Sequence, residues 1–411
     1  MTKFTFFDFS LLIYLIFFVL EKGEYSLIEV GRWGATALVI ISGFGIFVKN
    51  VKSFKLTESF IWYFLFAIYA LISSHWALNS GAVFELLITF IRILFILFFI
   101  SLRIERNSDI RLLLRLYAYA IFFRVIVVLM LMIGKVSLSG VALYRFGDIV
   151  GYNPNSTAMY CVLAIYVIVD EFRCMNKNKI NIVILFVLFG AVLLTGSKKG
   201  ILGLLVGFSL YLFFNSRGTK KIVALPIISI VLLGAYEAIT TVPSLYISIG
   251  YRFEQMFDSF NGLDAGTSTI ERMSLIEEGI LIWKDHKLLG VGLNNFSLVQ
   301  KAWLLSTKTY AHCNYVELLA DLGVVGVILY YIYPLKVCFK YKISSNIMLT
   351  LKTLTILILL FDTASVSYND IFIILILGLS FFAYKEQKNN GDIYILIKHR
   401  KDKHETTKIL N

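Results

Sequence analysis

The chain has 411 residues, of which 58% are hydrophobic and only 16% charged, with 35 phenylalanines and a formal net charge of +12. Apolar stretches near 20 residues recur along it, which excludes a soluble domain of this length and points to a polytopic membrane protein. The excess positive charge falls mainly in short connections between those stretches, so it reads as membrane topology and gives no reason to invoke a nucleic-acid partner.

Hydropathy predicts membrane spans near 6–20, 35–48, 59–77, 83–102, 112–133, 157–170, 180–196, 201–215, 222–240, 313–333, 347–366 and 369–384, about twelve in all. Alternate connections carry the basic residues: Lys49, Lys52 and Lys55; Arg103, Arg106 and Arg111; Arg173, Lys177 and Lys179; Arg217, Lys220 and Lys221; Lys336, Lys340 and Lys342. Short loops rich in Lys and Arg stay in the cytoplasm, and the tail with Lys398, Arg400, Lys401 and Lys403 agrees, so both termini are expected inside. The organisation expected is a bundle of about nine helices over 1–240, an extracytoplasmic loop at 241–311, three helices over 312–384 and a basic cytoplasmic tail at 385–411.

The first span meets no small-residue cleavage site before Glu21-Lys22-Gly23-Glu24, so a retained anchor is expected, with the mature chain beginning near Met1. Further on, the external segment from Lys135 to Ser156 holds Arg145 and Asn153-Pro154-Asn155. Its guanidinium and amide groups suit phosphate or sugar hydroxyls, while Asn-Pro-Asn is equally an ordinary turn with Asn155 or Ser156 as a helix cap. The hairpin Thr195-Gly196-Ser197-Lys198-Lys199-Gly200 sets two lysines on the outer side, where topology gains nothing from them. Backbone amides at the next helix start add to that field and make an anion seat; the alternative is that both lysines reach to lipid headgroups.

The large loop contains an amphipathic pattern at Ile270, Met273, Leu275, Ile276, Ile280 and Trp283, which predicts a helix in a folded cap. After it, Gly290, Gly292 and Asn294-Asn295 are turn formers. The loop then meets a membrane helix at His312-Cys313-Asn314-Tyr315-Val316-Glu317, a histidine, tyrosine and glutamate at the boundary. Neutral imidazole, with an ordinary pKa of about 6.5, accepts a proton near neutral pH; taken alone, such a residue more often bonds backbone carbonyls at an interface. Arg92, Arg124, Glu237 and Asp362 fall inside predicted spans and are expected to face the bundle interior, pairing with one another or supporting substrate. Cys161, Cys174, Cys313 and Cys338 show neither disulfide nor zinc spacing, so no metal site is expected.

Four blocks, in order, resemble the O-antigen ligase and polymerase superfamily of bacterial polysaccharide assembly. They are Arg145 with Asn153-Pro154-Asn155; Thr195-Gly196-Ser197-Lys198; Glu271-Arg272 followed by Trp283, Asp285-His286 and Gly290-Val291-Gly292; and His312 through Glu317 with Gly323 and Gly326. The resemblance is carried mainly by residues 190 to 330. The chain has Lys198 where the family usually has arginine, Lys287 where proline often follows the Asp-His pair, and Cys313 where asparagine commonly follows the histidine. Lysine keeps the charge and loses the planar two-point grip on phosphate.

The resemblance implies an all-α integral membrane protein with a GT-C-like fold, acting as a metal-independent glycosyltransferase without cofactor on the outer face of the bacterial cytoplasmic membrane. Its donor would be an undecaprenyl diphosphate-linked oligosaccharide, with a chain-length regulator and a flippase as further partners. Lys198 and Arg272 would steady the departing diphosphate, with Lys199 and Arg145 in reserve, and His312 would be the base. Glu317 would orient the imidazole or bind a sugar hydroxyl, and Tyr315 and Asn155 would contact substrate. A repeat-unit polymerase is the reading preferred, with a ligase to lipid A-core as alternative. A lipid-linked oligosaccharide flippase or other carrier remains as a different class, although carriers place their binding groups near the bilayer midplane and often show related halves.

Overall fold

The computed structural model describes residues 3–20, 26–50, 56–136, 144–174, 178–216, 267–300, 309–343 and 345–383, with isolated positions between 234 and 254. Among these there are helices and turns and no strand. In chain order the helices are α1 (Phe6–Val19), α2 (Ser26–Asn50), α3 (Glu58–Ile72), α4 (Ser80–Glu85), α5 (Leu87–Arg103), α6 (Asn107–Lys135), α7 (Pro154–Cys174), α8 (Lys179–Leu194), α9 (Lys198–Asn215), α10 (Thr267–Asp285), α11 (Phe296–Val299), α12 (Asn314–Phe339), α13 (Asn346–Phe361) and α14 (Ile371–Ala383). The predicted span at 222–240, residues 255–266 and 301–308 of the large loop, and the tail at 385–411 lie outside the described residues, apart from the isolated positions.

Among the described residues, five stretches are long and apolar enough to cross a membrane: Ile28–Lys49, Ser80–Arg103, Asn107–Lys135, Pro154–Arg173 and Asn314–Phe339. Shorter apolar helices accompany them, and Phe186, Val48, Met130 and Phe339 turn large apolar side chains outward. An exterior of that kind suits hydrocarbon, and the molecule is a multi-pass membrane protein. The predicted amphipathic helix is present as α10, longer by a few residues at each end.

Local sequence explains where several helices begin. Thr5 and Asp8 form a capping box on α1, and the side chains of Thr57, Asn178, Ser197 and Ser345 each accept a backbone N–H in the first turn that follows. The helix ends also sort by charge. At one end of the bundle Arg103 pairs with Asp8 at 2.9 Å and Asp109 at 3.1 Å, Arg111 with Asp170 at 3.0 Å, Arg115 with Glu171 at 2.8 Å, and Lys336 with Glu58. Arg103, Arg111 and Lys336 belong to the basic sets that hydropathy assigns to the cytoplasm.

Helix α12 departs from regularity twice, and each departure is filled by another element. Pro334 has no N–H to give the carbonyl of Tyr330, four residues earlier. Trp62 of α3 donates its indole N–H to that oxygen at 2.8 Å and to Leu329 at 3.0 Å, while its ring stacks on Tyr333 at 4.8 Å. Higher up, Gly323 sits at φ 65° and ψ −167°, outside any helical geometry. The backbone thus opened is occupied by the segment after α10: Val291 N–H donates to Ala320 O at 2.9 Å and Gly292 N–H to Asp321 O at 2.8 Å. In the other direction Val324 N–H donates to Lys287 O at 3.0 Å, and the Tyr69 hydroxyl donates to Leu322 O at 3.0 Å.

Gly323 is required twice over, by its positive φ and because a Cβ there would stand 2.2 Å from the Leu288 oxygen. Gly323→Ala is therefore expected to destabilise the protein by more than the roughly 1–3 kcal/mol of backbone strain alone, read as a lowered Tm of the purified protein. Trp62→Phe keeps an aromatic ring but strands a buried carbonyl. It should cost about 1–3 kcal/mol and lower the Tm by less than Gly323→Ala.

Candidate functional site

Helix α10 is mounted on the first turns of α12. Leu275 and Ile282 of α10 pack with Val291, Phe296, Ala311, Cys313, Val316 and Ala320 in a cluster apart from the main core, and a Cβ on Gly279 would overlap Val316. The turn leading into α11 is fixed by Asp321. Its buried carboxylate accepts the backbone N–H groups of Asn294 at 2.7 Å, Asn295 at 3.2 Å and Phe296 at 2.7 Å. Asn295 in turn accepts from Asn79 N–H at 2.8 Å, tying the cap to the start of α4.

His312 stands where this cap joins α12, half-buried, with its ring 4.1 Å from that of Tyr310. Its φ of 54° is left-handed, which a side chain with a Cβ adopts only when its surroundings hold it there. Neighbours on both sides do so. Glu317, buried, accepts the N–H of Ala311 at 2.5 Å, and Asn314 N–H donates to the carbonyls of Asp362 at 2.8 Å and Ser365 at 3.1 Å. Burial first, then the charges of Arg272 and Lys199, push the His312 pKa down to about 4.

The hairpin between α8 and α9 supplies the facing side. Ser197 caps α9 through Gly200 N–H and donates its hydroxyl to Asn155 Oδ1 at 3.0 Å. Arg145 reaches the same amide oxygen with Nη2 at 3.1 Å and donates Nε–H to Thr195 O at 3.0 Å. The first two sequence blocks thus meet as one cluster. Lys199 donates to Ala364 O at 3.3 Å, in the turn after α13 that also receives Asn314. Beneath that turn Asp362 is buried and accepts from Tyr331 at 2.8 Å and Ser367 at 2.5 Å, with Asn314 Nδ2 at 3.4 Å.

His312, Arg272 and Lys199 therefore act on one another, while Lys198 occupies the first position of α9 beside them, half-buried. Arg145 and Asn155 brace the hairpin. Tyr315 donates its hydroxyl to Leu359 O at 2.9 Å and stacks on Tyr331 at 4.6 Å, so its described contacts lie within the protein. Glu317 reaches the backbone next to His312. Of the charges expected in spans, Arg124 and Asp362 are buried, Arg92 is half-buried and Glu237 is exposed. Asp285 and His286 line an open cleft of about 760 Å³ with Trp76, Lys284 and Lys287. Thirteen residues of helix set this cleft about 20 Å from Arg272.

Sequence reading passed over Asp321 and Asn314. A carboxylate in the apolar run Leu318 to Val327 was the available signal for the first, and the Asn that follows Cys313 for the second. The carboxylates of Asp321, Glu317 and Asp362 accept from backbone amides or hydroxyls, and Asp362 also acts electrostatically on Lys199.

The sign of the histidine shift gives a test. A lowered pKa leaves imidazole neutral over roughly pH 5–8, and the neutral form is lost only as pH falls through about 4. The rate of diethylpyrocarbonate modification at His312, followed by peptide mass spectrometry, should stay level down to about pH 5 and then fall. A midpoint near the ordinary value of about 6.5 would show that burial and the two cations do not govern this group.

Residues 183–331 match the family model described as O-Antigen ligase. The matched segment takes in Lys198, Lys199, Arg272 and the run from His312 to Glu317, while Arg145 and Asn155 precede it and Asp362 follows it. No curated protein matches the chain.

Proposed function

We propose that this member of the O-antigen ligase/polymerase superfamily is a repeat-unit polymerase, transferring glycan from an undecaprenyl diphosphate carrier to the end of another lipid-linked repeat unit. The observation that carries the reading is the meeting of Arg272 and Lys199 around a neutral histidine at the junction of cap and helix. A base and a cationic seat for a leaving group are the two requirements of displacement at an anomeric carbon.

In this reading the acceptor hydroxyl gives its proton to an imidazole nitrogen of His312 as its oxygen attacks the anomeric carbon. The bond from that carbon to the diphosphate oxygen breaks, and its electron pair leaves with undecaprenyl diphosphate. Arg272, Lys198 and Lys199 receive the charge that develops there, so side chains meet the electrostatic need and the reaction is metal-independent. Attack from the face opposite the diphosphate inverts the anomeric configuration. Arg145 and Asn155 hold the hairpin at the seat, and Tyr315 and Glu317 keep the helix start that presents the base in place.

The same reading takes the ion-paired end as cytoplasmic and the site as facing outward from the cytoplasmic membrane. It takes the architecture as about twelve spans of GT-C-like type, divided at 1–240, 241–311, 312–384 and 385–411, and a flippase and a chain-length regulator as working partners. The family description favours one other acceptor, the lipid A-core of a ligase reaction, since the leaving group and its cations serve both.

Purified protein in lipid, given an undecaprenyl diphosphate-linked repeat unit as sole substrate, should yield a product ladder. His312→Ala should slow its formation by about 10²–10⁴-fold. Arg272→Ala should cost a similar order, Lys198→Ala should impair strongly, and Lys198→Arg should retain activity because it keeps the charge. No ladder, but one transfer step once lipid A-core is added, would replace the polymerase with the ligase. No transfer to either acceptor would refute both.

A further inference from the structure

A second cationic place lies where α1, α2 and α5 meet. The Arg92 guanidinium is 4.3 Å from the centre of the Trp33 ring and 5.3 Å from that of Phe18, and Arg32 is 5.5 Å from Phe18. Arg32 closes the end of α1, donating to Phe17 O at 3.1 Å and Leu20 O at 2.6 Å. Arg92 differs: among the described residues it donates no hydrogen bond, and its Nε is buried without an acceptor. Tyr14, 1% exposed and stacked on Phe18 at 4.2 Å, holds a second buried donor without a partner, within electrostatic reach of both guanidinium groups.

Stacking engages the faces of a guanidinium and leaves its in-plane N–H edge available, an edge that fits phosphate oxygens. This end of α1 lies toward the candidate site, because Arg124 joins Val19 O at 2.7 Å to Thr157 Oγ1 at 2.8 Å, and Thr157 is in the first turn of α7 with Asn155. Arg92 is five residues along α5, about 7–8 Å from its start. The neighbouring Val30, Trp33, Ile88 and Ile91 turn apolar surface outward, so a molecule reaching Arg92 there carries hydrocarbon.

We propose that Arg92 and Tyr14, with Arg32 beside them, bind the phosphate group of a membrane lipid whose hydrocarbon lies along the exposed faces of α2 and α5. Glycerophospholipids and polyprenyl phosphates share that chemistry. The site is distinct from the His312 cluster and does not depend on the reaction assigned to it.

Native mass spectrometry of the delipidated full chain, titrated with phosphatidylglycerol, undecaprenyl monophosphate or diacylglycerol, tests the assignment. The wild type should bind the phosphate-bearing lipids and not diacylglycerol. Arg92→Gln should weaken binding about tenfold or more and Tyr14→Phe about fivefold, with His312→Ala unchanged at this site. Tyr14→Phe, a one-atom change, decides the matter if Arg92→Gln does not fold. Tighter binding of phosphatidylglycerol marks a phospholipid site and tighter binding of undecaprenyl monophosphate a polyprenyl one. Equal uptake by wild type and both variants, equal uptake of diacylglycerol, or no uptake by the wild type would overturn it.

Discussion

The break in α12 at Gly323 is the constraint on which the candidate site rests. A continuous helix would satisfy its own amides and offer the cap nothing but side chains. Opening it at one glycine exposes carbonyls and N–H groups that the segment at 287–292 then pairs with. Backbone-to-backbone pairing is directional, so it sets the rotation of the cap as well as its distance. The Asp321 carboxylate, two residues before the break, collects three further amides and fixes the start of α11. Arg272 is brought near His312 because α10 is held at both ends of this junction.

Charge is distributed unevenly between the two ends of the bundle. At one end arginine and lysine meet carboxylates. At the other, the partners described for Arg32, Arg124, Arg145 and Lys199 are carbonyls, hydroxyls, an amide oxygen and aromatic rings. Partners of this kind orient a cation through dipoles and ring faces, whereas the carboxylates at the first end meet it with full charge. His312 is kept neutral first by its burial and then by the charges of Arg272 and Lys199 beside it.

Most helices could be read from hydropathy, because apolar length is written in consecutive residues. The start of α2 could not: Glu29, Gly31, Arg32 and Gly34 dilute the signal, yet the helix runs through them from Ser26. The amphipathic spacing of Ile270 to Trp283 marks α10, and Lys199 and His312 are legible as polar groups at apolar borders, whereas Arg272 enters only through the family resemblance. Gly323, legible in the sequence only as part of a family block, admits another segment of backbone into its helix. The pairing of Asp321 with residues 25 to 27 positions earlier is a long-range fact that no local pattern records. The resemblance implies that Tyr315 contacts substrate; its ring stacks on Tyr331 and its hydroxyl donates to the Leu359 carbonyl.

Lys199 and the first turn of α12 are both tethered to the turn after α13, the lysine through Ala364 and the helix through Asp362 and Ser365. That turn lies beyond residue 331, where the family match ends. The spacing between cation and base is thus templated by a part of the chain that a motif search passes over. A chimera that carried only residues 183–331 into another scaffold would inherit the chemical groups without the ruler that sets them apart.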